Sequence, residues 1–97
     1  MIHAGDIHLA DLHEEVRRRV LVLSNVRFNT VANRVLVAPE ILGPPDPVPF
    51  PWRIDVDGAT FAIDLARNLP IGRLLERIDR APAAAMTNAR RALLNIT

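Results

Sequence analysis

Five prolines, at positions 44, 45, 47, 49 and 51, fall in the middle of the chain and forbid a helix or a central strand there. Residues 40–51 are therefore expected to form a stiff, extended loop with few conformations to lose on binding. Regular structure must be built from short elements on either side. Ahead of the loop, Ile7, Leu9 and Asp11 alternate with His8, Ala10 and Leu12, which predicts a half-buried strand. The polar HEEVRR segment (13–18) reads as a loop. RVLVL (19–23) and RVLVA (34–38) are β-branched runs of the kind buried on both faces of a sheet. Ser24-Asn25 stops the first run and Pro39 the second, while Asn29 and Asn33 predict turns across 26–33.

Beyond the prolines, residues 52–56 alternate again, and Asp57-Gly58 predicts a tight hairpin turn into a return strand at 59–64. Residues 68–71 read as a turn or a short edge piece, and Leu74, Leu75 and Ile78 as an apolar patch. Pro82 followed by Ala83-Ala84-Ala85 starts a helix. Met86, Ala89, Leu93 and Ile96 form its predicted buried stripe, and Arg90 and Arg91 complement the dipole at its end. The sum is about five short strands in antiparallel meander order with one C-terminal helix. This is an α+β class, with a small, strongly bent antiparallel sheet expected to curl into a barrel.

At 97 residues the chain is expected to be a single domain spanning 1–97. A domain this small leaves much of its surface uncovered, which favours a homodimer. No apolar run reaches the roughly 20 residues of a membrane helix, and the N-terminus lacks the pattern of an export signal. No membrane association and a cytoplasmic location are therefore expected. The absence of cysteine excludes disulfides, zinc knuckles and a thiol nucleophile. All 12 basic residues are arginine, whose flat fork suits phosphate oxygens and stacks on bases. Charge alternates by segment: −2 over 1–13, +3 over 14–34, −4 over 35–66 and +4 over 67–97. A basic groove is thus compatible with the net charge of only +1.

In order, GDIHLADL, RRRVLVLSN, VLVAP, FPWRI, AIDLAR and the terminal IGRLLERIDRAPAAAMTNARRALLNI resemble the successive strands and last helix of MazF/PemK-type toxins from bacterial toxin–antitoxin pairs. The resemblance runs from about residue 4 to 96 and implies the CcdB/PemK-type toxin fold. It also implies metal-free cleavage of single-stranded RNA, with no cofactor, by attack of a ribose 2′-hydroxyl on the neighbouring phosphate. A small acidic antitoxin would hold the toxin silent. The family's phosphate-binding arginine opens the second strand, a position Arg18 fills, with Arg19 in place of the family's proline. Such chemistry needs a proton acceptor, a cation for the charge on phosphorus, and an acid for the leaving oxygen.

Arg18 is accordingly the expected phosphate-neutralising residue, and His13, Glu14 or Glu15 the expected base. Arg17, Arg19 and Arg27 are expected to bind neighbouring phosphates, and Phe50 and Trp52 to stack on bases. Without the family context, the arginines read more readily as a solvated cluster paired with Glu14 and Glu15, and the aromatics as a plug at a barrel end or a dimer seam. Two features depart from the family. Glu40-Ile41 stands where a threonine is usual, leaving Ser24 as the nearest substitute hydroxyl, and the loop between the first two strands is about six residues short. These departures keep two alternatives open: a non-enzymatic CcdB-like toxin that binds DNA gyrase through the helix end, and an inactive relative. His3, His8 and His13, five apart, suit no metal site and are expected to be surface or half-buried residues. Asp55, Asp57 and Asp64 are expected to be structural.

Overall fold

The computed structural model describes residues 1–44 and 50–96. The expectation of a stiff proline loop therefore falls partly outside the described residues, since Pro45, Pro47 and Pro49 are not among them. Seven strands are described: β1 (Asp6–Ala10), β2 (Arg18–Val22), β3 (Arg34–Pro39), β4 (Arg53–Val56), β5 (Ala59–Ala62), β6 (Arg67–Pro70) and β7 (Leu74–Arg80). Two helices join them, α1 (Val26–Ala32) and α2 (Ala83–Leu94). The class is α+β with antiparallel pairing throughout.

The meander order does not hold. One sheet has the order β6-β3-β2-β1-β7, and β4 and β5 form a separate hairpin. A flat five-stranded sheet is about 19 Å from edge to edge at ~4.8 Å per strand gap. The link from β6 to β7 is only the 3₁₀ turn Ile71–Arg73, which advances about 2 Å per residue. The sheet must therefore curl until its two edge strands come near one another. Leu69, Ile71 and Leu74 from this link pack with Leu12, Val20, Val22, Val35 and Val37 inside the curl. The edges do not pair, so the sheet stays open rather than closing into a barrel.

The curled sheet has apolar side chains on both faces. In β2, Val20 and Val22 enter the inner cluster, whereas Leu21 points the other way. Leu21 joins Ile7, Ala38, Phe61, Ile63, Met86 and Ala89 beneath α2 and the hairpin. The two RVLV runs thus behave as expected for strands buried on both sides, and β1 does too, although alternation predicts only half-burial. Gly5 shows how closely α2 approaches. At φ +96° it donates to Val22 O (2.8 Å) and accepts from Ala81 N (2.7 Å). A Cβ there would lie 3.3 Å from Met86 Cγ.

Three local expectations change. Residues 26–32 are helical, because Asn25 caps α1 by accepting from Phe28 N (2.9 Å) and Asn33 ends it in the left-handed region at φ 55°. Leu74–Arg80 is a strand and not merely an apolar patch; two register shifts break its alternation, and almost all of it is exposed at the sheet edge. The buried stripe of α2 is Ala85, Met86, Ala89 and Ala92, while Ile96 is 46% exposed. Asp57-Gly58 forms the expected hairpin turn, with φ 48° and 82°.

Candidate functional site

The segment after β1 leads through His13 and Glu14 to Arg18, which opens β2. Arg18 Nη2 donates to Glu14 Oε2 at 2.7 Å, and Nη1 to the main-chain oxygen of Glu40 at 3.3 Å. Its side chain is 22% exposed and its Nε is enclosed without a hydrogen-bond partner. The guanidinium is thus held rather than loose in solvent. Arg19, pointing to the other face of β2, makes a fork with Glu40: Nε to Oε1 at 3.2 Å and Nη2 to Oε2 at 2.6 Å. That hydrogen bond, followed by the opposing cost of burial and then by the charges of Glu40 and Asp79, leaves the Arg19 guanidinium even harder to deprotonate than usual.

Glu40 is the residue that sequence reasoning valued least. Its side chain is 12% exposed, its N–H donates to Arg19 O (2.9 Å), and it bridges Phe61 of β5. The signal was present: an acid directly after β3 stands across the antiparallel ladder from Arg19.

The remaining expected site residues divide. Arg17 is exposed immediately before β2, as are His13 and Glu15. His13 sits at φ 62° with its N–H on Asp11 Oδ1 (3.0 Å), which turns the chain back towards β2. Ser24 does not replace the missing threonine. It lies beyond the far end of β2, about 20 Å along the strand from Arg18 at ~3.3 Å per residue. Its hydroxyl is also occupied, donating to Asn29 and accepting from Leu36 N (2.9 Å). Arg27 lies at that same distant end, on α1 beside a shallow hollow lined by Phe28 and Val31. Phe50 and Trp52 meet edge to face at 4.9 Å, with the Arg53 guanidinium 4.9 Å over the Phe50 ring. Trp52 packs on the core, and its carbonyl accepts Ile63 N (2.8 Å), just past the end of β5 and two residues after Phe61. The aromatic pair is thus built first as packing.

Among the described residues, no three His, Cys, Asp or Glu side chains gather as a metal site would. Asp64 instead pairs with Arg53 (3.3 Å), and Asp55 accepts from Thr60 Oγ1 (2.6 Å). His8 is more deeply placed than the surface or half-buried position expected of it: it is 8% exposed, and both ring nitrogens are buried without partners. It neighbours Asp6, a buried carboxylate that accepts from His3 N (2.9 Å) and Arg80 Nε (3.1 Å). Burial by itself would raise the Asp6 pKa, but these hydrogen bonds and the charges of Arg80 and Arg77 bring it below the ordinary value. For His8, burial is the largest influence and lowers its pKa; Asp6 opposes this and Arg77 adds to it.

Both shifts make acid destabilising. The fold prefers neutral His8, so its contribution is complete above the unfolded pKa of about 6.5 and is lost as pH falls below that. Asp6 acts lower, its contribution fading as pH falls from about 3.9 through its depressed folded value. In urea titrations, His8→Leu is expected to remove up to one proton's worth of slope below about pH 6.5, about 1.4 kcal/mol per pH unit at most. An unchanged slope would mean that His8 is accessible to protons in the fold.

The family profile of the PemK-like, MazF-like toxins of type II toxin–antitoxin systems matches residues 3–97. The chain belongs to this family. Solved structures agree in fold. A MazE–MazF complex from Deinococcus radiodurans superimposes with a TM-score of 0.83 at 22% identity, covering 98% of this chain and 93% of that one. An endoribonuclease bound to its cognate antitoxin from a Mycobacterial species gives 0.82 at 16% identity, covering 98% and 93%. The Mycobacterium tuberculosis toxin MazF-mt6 gives 0.78 at 22% identity, covering 93% of each chain. A sequence search of curated proteins finds no match. As a PemK/MazF-family toxin, the chain falls with the MazF proteins, and the gyrase-binding alternative gains no support. No helix among the described residues is long and apolar enough to cross a membrane.

Proposed function

We propose that this PemK/MazF-family toxin is a metal-independent endoribonuclease that cuts single-stranded RNA. The carrying observation is the Arg18–Glu14 couple, a held guanidinium with a carboxylate 2.7 Å from Nη2. The arriving phosphate takes the place of Glu14 on Nη2, and the released carboxylate accepts the proton of the 2′-hydroxyl. As the O2′–P bond forms, Arg18 neutralises the charge gathering on the non-bridging oxygens. The P–O5′ bond then breaks, O5′ takes up a proton, and the products are a 2′,3′-cyclic phosphate and a 5′-hydroxyl. Of the three candidate bases, Glu14 is the one hydrogen-bonded to Arg18. Exposed Arg17 extends the positive surface along the strand.

The toxin works as a cytoplasmic homodimer and is held silent by a small acidic antitoxin. Leu75 and Ile78, 45% and 41% exposed on the edge strand β7, belong to the apolar surface that a second copy would cover. The MazE–MazF and endoribonuclease–antitoxin neighbours support the antitoxin partner. Its extended acidic segment would lie across Arg17 and Arg18 with carboxylates in place of phosphates.

The test is product chemistry. Purified toxin is expected to cut RNA in chelator, leaving cyclic phosphate and 5′-hydroxyl ends at mapped sites. A 2′-deoxy nucleotide placed at a mapped site should abolish cleavage there while the remaining sites are cut. Cleavage at the deoxy position would overturn the mechanism, and an absence of RNA cleavage would overturn the activity.

A further inference from the structure

We propose that Glu40 is a positioning residue for Arg18, binding two arginines at once and so orienting the phosphate-binding guanidinium. The kinetic part of this inference rests on the endoribonuclease reading; the structural part does not.

Four contacts fix this short stretch of backbone. Glu40 N donates to Arg19 O (2.9 Å), and the next amide, Ile41 N, donates to Thr60 O (2.8 Å). The carboxylate receives the fork from Arg19, and the Glu40 carbonyl receives Arg18 Nη1 at 3.3 Å. The Glu40 side chain is only 12% exposed, against 42% for Arg19, and a carboxylate so placed resists losing its partner. The Arg19–Glu40 fork therefore locks the end of β3, and the locked carbonyl sets the plane of Arg18. With Nη1 so committed, Nη2 is left directed at Glu14, the position where a phosphate oxygen would arrive. The same fork has an electrostatic consequence. Glu40 offsets the charge of Arg19, whose side chain is 42% exposed, so Arg19 offers RNA less positive field in the native site than an unpaired arginine would.

These two effects oppose one another in a way that a merely structural residue does not reproduce. Glu40→Gln loosens Arg18 but frees the Arg19 charge for a neighbouring phosphate. Arg19→Gln loosens Arg18 equally but leaves an unpaired carboxylate that repels RNA. Both variants are expected to lower kcat about tenfold, a misplacement effect on a group acting in the transition state. KM should fall or hold in Glu40→Gln and rise in Arg19→Gln. The salt dependence of RNA binding should steepen by about 0.7 in logarithmic slope for Glu40→Gln, one added phosphate contact on a single strand.

The experiment uses the full chain with the mapped RNA, together with nitrogen-15 spectra of the arginine guanidinium groups without RNA. In the native protein, Arg18 and Arg19 should show separate, slowly exchanging Nη signals. In Glu40→Gln both sets should average. Loss of the Arg19 pattern with Arg18 unchanged would overturn the proposal, as would a native kcat in Glu40→Gln. Should a single variant fail to fold, the double variant Arg19→Gln/Glu40→Gln, which leaves no unpaired carboxylate, supplies the Arg18 spectrum, and averaged Arg18 Nη signals are expected there too. If the native protein cuts no RNA, the endoribonuclease reading fails, while the spectra still decide whether Glu40 orients Arg18.

Discussion

Arg18→Ala is expected to reduce RNA cleavage by about 10²–10³-fold, the usual loss when a preorganised donor to a developing oxyanion is removed. Fold and stability should change little. Arg18 is partly exposed, its ion pair with Glu14 is at the surface, and the Glu40 carbonyl it leaves can be hydrated. Arg18→Lys should recover only a small part of the rate. A lysine restores the charge but not the planar fork, which satisfies the Glu40 carbonyl with one nitrogen and faces the phosphate with another. Single-turnover cleavage of a mapped RNA, alongside thermal melts, separates the two effects. Near-native rates in a folded Arg18→Ala protein would remove Arg18 from the mechanism.

Phe61→Ala is expected to destabilise the fold by about 3–5 kcal/mol, the range for deleting a fully buried aromatic side chain. Phe61 is the largest side chain with no exposed surface, and it stands opposite Ile54 in the hairpin. It also bridges Glu40 and belongs to the cluster that α2 covers. A domain of this size has a total of only about 5–15 kcal/mol. At roughly 4–8 °C per kcal/mol, the melting temperature should fall by at least about 12 °C. Urea unfolding gives the same quantity at constant temperature. A loss below about 1 kcal/mol would mean that the hairpin packs on the sheet without depending on this side chain. Because Glu40 sits on the same bridge, residual cleavage at low temperature should fall further than the folded fraction alone requires.

The sheet was legible in the sequence where burial wrote it there. The RVLV runs in β2 and β3 have no polar face to confuse the pattern, and Asp57-Gly58 admits essentially one kind of turn. The edge strand β7 was hidden for the opposite reason. Its residues face solvent, so LLERIDR carries no alternation, and two register shifts spoil what periodicity remains. Helix α1 has only seven residues, and its start and stop lie in the caps Asn25 and Asn33 rather than in an apolar stripe. In the candidate site, the order of motifs pointed to Arg18. Spacing along the chain could not separate Glu14 from its neighbours, because contact with Arg18 depends on how the short loop folds back. Nor could it dismiss Ser24, which is close in sequence to Arg18 yet at the other end of an extended strand. His8 illustrates a further limit: the alternation of β1 gives its face, but only the curl of the sheet and the neighbouring strands make that face buried.

The most direct measurement is a crystal structure of the full chain with the mapped RNA carrying a 2′-deoxy nucleotide at the cut site. A non-bridging phosphate oxygen within hydrogen-bonding distance of Arg18 Nη2, with Glu14 swung from the guanidinium towards the 2′ position, is the predicted result. RNA bound elsewhere on the surface, with the Arg18–Glu14 pair intact, would contradict it.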